Sequence, residues 1–108
     1  MTETPKVLGQ LVPAATTLSI LYTTPGATNV VGSTIVVTNQ STDTTFRISI
    51  AVAGAADNAK QYLAWNAAIP ANSFVAITVG FMLGAADVIR VYSDSGNVSF
   101  NAFGVERA

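Results

Sequence analysis

Over residues 45–53 apolar and polar or small side chains alternate one for one, Phe46, Ile48, Ile50 and Val52 against Arg47, Ser49 and Ala51. A period of two is the mark of a strand with one buried face, because successive side chains of an extended chain point to opposite sides. The pattern, rich in β-branched and aromatic residues, recurs over 6–10, 17–22, 33–39, 61–65, 73–81, 88–93 and 98–105. That makes about eight short strands. Only residues 55–60 could form a turn of helix.

Turn chemistry punctuates these runs. Pro25 and Gly26 offer a fixed φ followed by a positive one, as a type II turn needs, and Asp94-Ser95-Gly96-Asn97 reads as a short hairpin connection. Residues 39–43 and 70–72 are loops on the same grounds. Short strands separated by turns every 8 to 12 residues or so predict an all-β fold, an antiparallel β-sandwich of jelly-roll or immunoglobulin-like topology. The 108 residues fit one domain. Residues 1–15 are set apart as an N-terminal arm or edge segment, because Val12-Pro13-Ala14-Ala15 interrupts any long strand, and residues 16–108 form the sandwich.

Composition removes most kinds of chemistry. The chain has no histidine and no cysteine, so Ser-His-Asp and Cys-His sites, ordinary zinc sites and disulfides are all excluded. Five basic and six acidic residues, a net charge of -1, leave no electrostatic footprint for nucleic acid or an anionic membrane. No apolar run approaches the length of a membrane span, and Glu3 and Pro5 stand where a secretory signal would be basic and then apolar. The sequence therefore predicts a cytoplasmic non-enzyme with no catalytic residues, cofactor or metal, and neither nucleic acid nor membrane as partner. Asp43, Asp57, Asp87 and Asp94 all fall in loops and read as turn formers.

What remains is surface. In 73–81 one face carries Val75, Ile77, Val79 and Phe81, and the other, with Phe74, Ala76, Thr78 and Gly80, is hardly polar; 98–105 also carries apolar residues on both faces. A chain this small cannot cover both faces of several strands by itself, so self-association or docking on a larger body is expected. Val7, Leu8, Leu11 and Val12 in the N-terminal segment, together with Phe74 and Phe103, are the apolar candidates for partner contact. Arg47 and Arg90, each inside a strand, are candidate anchors, since a guanidinium tolerates interface burial. Lys60, Tyr62 and Trp65 lie close enough to stack a base or a sugar, though Tyr and Trp with bonded polar atoms are common in cores.

Lys6-Val7-Leu8-Gly9-Gln10, Pro13-Ala14-Ala15-Thr16-Thr17-Leu18, Leu21-Tyr22-Thr23 and Pro25 resemble the opening of small virion proteins of tailed bacteriophages, cyanophages among them. Ser33-Thr34-Ile35-Val36-Val37-Thr38-Asn39, Thr44-Thr45-Phe46-Arg47-Ile48-Ser49-Ile50, Ala85-Ala86-Asp87-Val88 and Val98-Ser99-Phe100-Asn101-Ala102-Phe103-Gly104 resemble the same group, so the likeness spans nearly the whole chain. It implies a non-enzymatic β-sandwich mounted on a phage particle, first a capsid cement or decoration protein on the major capsid protein shell. A tail, neck or fibre component, or a carbohydrate-binding sandwich module, is the alternative. The same resemblance implies a homo-oligomer, a trimer in its favoured form, located in the virion after assembly in the host bacterial cytoplasm.

Overall fold

The computed structural model describes residues 2–108; Met1, the first residue of the expected arm, lies outside them. Nine strands form: β1 (Glu3–Leu11), β2 (Ser19–Thr23), β3 (Asn29–Asn39), β4 (Thr44–Ala51), β5 (Tyr62–Ile69), β6 (Phe74–Ile77), β7 (Phe81–Leu83), β8 (Val88–Ser93) and β9 (Val98–Arg107). Two single turns of 3-10 helix, Val52–Gly54 and Ala59–Gln61, sit between β4 and β5. The protein is an antiparallel β-sandwich. Sheet I runs β1-β9-β3-β6 with β7 also on β3, and sheet II runs β2-β8-β4-β5.

That order settles the topology. Counting β6 and β7 as one interrupted strand, every strand alternates between sheets except for the β4–β5 pair, and the first and last strands lie side by side. This is the double Greek-key order of a jelly roll, with no immunoglobulin-like arrangement of strands. Asp94–Asn97 consequently does not close a hairpin as its residues suggested, because β8 and β9 belong to different sheets and the turn carries the chain from one to the other.

Inward residues of both sheets meet in one core of Val30, Ile35, Val37, Phe46, Ile48, Ile69, Ile89, Val91, Val98 and Phe100, all nearly inaccessible to water. Phe46 and Phe100 join the sheets edge to face, with ring centroids 6.2 Å apart. The alternation read over 45–53 holds for Phe46 and Ile48 but ends early. Val52 is 69% exposed, because the strand stops at Ala51 and Ala53 takes a left-handed φ of 54°.

Buried Asn39 organises the β3–β4 and β5–β6 loops at once. Its amide nitrogen lies 2.7 to 3.2 Å from the Thr42, Ile69 and Pro70 carbonyls, and its Oδ1 accepts from the Ser41 N–H. Asp87 likewise accepts from the Ala53 and Gly84 N–H groups, tying two loops together. At the 25–28 turn the positive φ falls on Ala27, at 55°, and not on Gly26.

Sheet I is creased along one line. β1 has an extra residue at Leu8 relative to β9, β3 has one at Ser33, and residues 78–80 of the interrupted strand oppose only Ser33 and Thr34. The expected single strand over 73–81 is therefore broken. Gly80 takes a φ of 60°, and Val79, read on one face with Phe81, is 61% exposed, while Phe81 returns to the core. A bulge re-aims the side chains that follow it, which is how β7 keeps Phe81 and Leu83 inside.

Candidate functional site

Each sheet turns one face to solvent, and the two faces differ in chemistry. On sheet I, cross-strand pairing lines up Pro5, Val105, Val31 and Met82 in one row across β1, β9, β3 and β7. The next row places Val7 opposite Phe103 and Thr34, and further along β6 adds Ala76 beside Val36 and Phe74 beside Thr38. Met82 is 81% exposed and Phe74 68%; Val7, Val31 and Val79 are also open to water. The patch has polar ends. The Glu3–Arg107 ion pair at 3.0 Å, with Asn29 next to Arg107, closes one end, and Ser99, Asn101 and Thr38 mark the other. An apolar centre with a polar rim is an arrangement found in protein–protein interfaces.

The residues singled out from sequence divide between several places. Val7, Phe74 and Phe103 share this sheet I face, with Val7 and Phe103 direct partners. Leu8 points into the chain's own core and Leu11 packs half-buried against it, while Val12 is exposed just beyond β1. Arg47 and Arg90 lie on the other sheet, so the eight candidates do not form one surface. Met82 and Val31 belong to the patch and escaped the sequence reading; the Phe81-Met82-Leu83 alternation was the available signal.

On sheet II the outward side chains of β4, β5 and β8 form a polar aromatic cluster. The Arg47 guanidinium carbon stands 3.8 Å from the Trp65 ring centroid and 4.4 Å from that of Tyr92, and Arg47 Nε donates to Asn66 Oδ1 at 2.7 Å. Trp65 meets Tyr62 edge to face at 4.8 Å. The Tyr62 hydroxyl donates to Asp57 and the Tyr92 hydroxyl to Asp94. Burial first, then the Asp57 carboxylate, raises the Tyr62 hydroxyl above its ordinary pKa. Arg90 is differently employed, its two terminal nitrogens donating to the Ala55 and Gly54 carbonyls and fastening the 52–61 loop over the sheet.

A third polar group bridges the sheets at their β1–β2 edge. Tyr22 Oη donates to Glu106 Oε2 at 2.5 Å, and Lys6 Nζ lies 3.4 Å from Glu106 Oε1. The Tyr22 hydrogen bond, then Lys6, holds the Glu106 carboxyl below its ordinary range against the opposing effect of burial. Among the described residues no group of three or more acidic side chains could hold a metal ion, and no helix is long and apolar enough to cross a membrane.

No family model matches the chain, and no curated protein matches it. Two solved structures, each described as a pentameric capsid protein isolated from metagenomic phage sequences, are similar to it. One is 21% identical with a TM-score of 0.41, covering 94% of this chain and 60% of its own; the other is 17% identical with a TM-score of 0.35, covering 94% and 61%. The chain thus spans about three fifths of the length of the solved structures it matches. Function is not carried across a likeness of that size.

Proposed function

We propose that this chain is a structural protein of a tailed-phage virion, a cement or decoration protein that lays the outer face of sheet I on the capsid shell. The observation that carries the reading is the row of Pro5, Val105, Val31 and Met82 with Phe74, Phe103 and Val7 around it. A jelly roll of this size has no need of outward Met and Phe for its own stability, so a second surface accounts for them. The near full-length resemblance to small virion proteins supports the same assignment. A role without chemistry suits a chain lacking histidine and cysteine, and many weakly bound copies suffice for a cement because the shell presents many equivalent sites.

Residues 2–15, whose strand β1 carries Val7 on this face, are proposed to contribute to the contact. The sandwich of residues 16–108 supplies the rest. The free protein is proposed to self-associate, with a trimer as the favoured form. Immunogold electron microscopy of particles whose genome encodes the chain tests the assignment. Label over the head is expected; label confined to neck or tail transfers the role to a tail component, and unlabelled particles refute a virion role. Phe74→Asp and Met82→Asp should abolish particle binding while leaving the melting temperature nearly unchanged.

A further inference from the structure

The cluster on sheet II carries a second inference, independent of the virion reading because it uses the opposite face. The Arg47 guanidinium lies over the rings of both Trp65 and Tyr92, and its Nε is held by Asn66. Its two terminal nitrogens donate to no described residue, and no carboxylate pairs with it. A guanidinium fixed in this way has already lost the freedom that binding would otherwise remove, and it presents a fork matched to a carboxylate. The chain does not supply that carboxylate. All six acidic side chains already accept hydrogen bonds or ion pairs: Glu3 from Arg107, Asp43 from Ala71, Asp57 from Tyr62, Asp87 from Ala53 and Gly84, Asp94 from Thr45 and Tyr92, and Glu106 from Tyr22 and Lys6.

We propose that Arg47, Trp65 and Tyr92 form a binding site for an acidic saccharide, a uronate-type sugar whose carboxylate is taken by Arg47. The surroundings favour a sugar over an acidic peptide. Trp65 leaves 57% of its surface in water, an aromatic area on which the C–H face of a pyranose can lie. At the far ends of the Tyr62 and Tyr92 rings stand Asp57 and Asp94, which retain free acceptor positions for hydroxyl donors. A uronate brings those hydroxyls with its carboxylate. A glutamate side chain brings the same anion without hydroxyls to donate to those aspartates.

Trp65 is the single tryptophan, so its fluorescence reports this face alone. The test titrates the full chain with trigalacturonate, with its neutral methyl ester and with a tetraglutamate peptide. A saturable change with the acid is expected, weakened about tenfold or more by esterification, by Arg47→Gln and by Arg47→Lys, which keeps the charge and loses the fork. Thermal melts establish that the variants are folded, and the ester comparison needs no variant at all. No saturable change with the acid, equal affinity for acid and ester, or tetraglutamate binding as tightly as trigalacturonate would overturn the proposal, the last by assigning the face to acidic peptides.

Discussion

The crease in sheet I rests on two glycines that face each other, Gly32 on β3 and Gly104 on β9, and replacing the second tests the whole arrangement. A Cβ built on Gly104 would stand 2.7 Å from the Val31 carbonyl oxygen, 2.9 Å from Gly32 Cα and 3.2 Å from Leu8 Cδ1. Two of those three neighbours are backbone, so no rotamer change relieves the clash, and the strands must part by roughly half an ångström at the centre of their pairing. Overpacking of this kind costs about 3 kcal/mol, the upper part of the usual range. For a domain of this size that is a fall in melting temperature of roughly 10–20 °C. The control is Gly26→Ala, where nothing lies within 4 Å of the added methyl and φ is ordinary. It should be neutral or gain about 0.5 kcal/mol from a stiffer unfolded chain. Thermal and urea melts followed by far-UV circular dichroism measure both. A Gly104→Ala protein within about 1 kcal/mol of the parent would refute the close approach of β3 to β9 and, with it, the crease that aims Val79 outward.

Three further outcomes follow from the same contacts. Because Glu106 is held below its ordinary pKa, its contribution to stability is present above the unfolded carboxyl value of about 4.3 and disappears as pH falls through the folded value; Tyr22, raised above 10, destabilises the fold once pH climbs past its unfolded value. Tyr22→Phe should therefore melt lower at pH 7 and yet lose less on going to either extreme, as melts at pH 3, 7 and 11 would display. Asn39→Ala leaves three loop carbonyls without their shared donor and should cost about 3 kcal/mol in urea unfolding, with the β-sandwich circular dichroism retained. Ala27→Gly removes the left-handed strain of an alanine at φ 55° and should raise stability by about 0.5 kcal/mol after the larger unfolded-state entropy of glycine is subtracted.

Period-two alternation made most strands legible, since Phe46, Ile48, Val91 and Phe100 all point inward where alternation places them. Local residues did not reveal which strands pair. Asp94–Asn97 has the composition of a hairpin turn and performs a sheet-to-sheet crossover, a difference set by the rest of the sandwich and not by the four residues. The break at 78–80 was hidden for a similar reason. Thr78 and Val79 have strand-forming side chains, and Gly80, whose φ of 60° lets the chain turn, reads as one more small residue of the less apolar face; the place of the break is set by Ser33 and Leu8 on a line across four strands. Arg47 was legible as an outward residue, and Trp65 as an aromatic near a basic side chain. Their contact was not, because residues of β4, β5 and β8 far apart in sequence meet only once sheet II has assembled.

The inward and outward residues of each strand thus carry different information. Inward positions need only apolar volume, and a core tolerates exchange among Ile, Val, Leu and Phe when volume is conserved. Outward positions are left free by folding, so an apolar or aromatic residue there calls for a cause outside the core. On sheet I those positions hold Val7, Val31, Phe74, Met82 and Phe103; on sheet II they hold Arg47, Trp65 and Tyr92, with the apolar Ile20 and Leu63 exposed on the same sheet. The first set offers only burial, which matches a flat neighbour such as another protein subunit. The second offers a fixed charge, ring faces and hydroxyl acceptors, the groups that the proposed acidic saccharide would use. One jelly roll therefore presents two surfaces of unlike chemistry, and substitutions at Met82 and at Arg47 should be separable in their effects because the core lies between them.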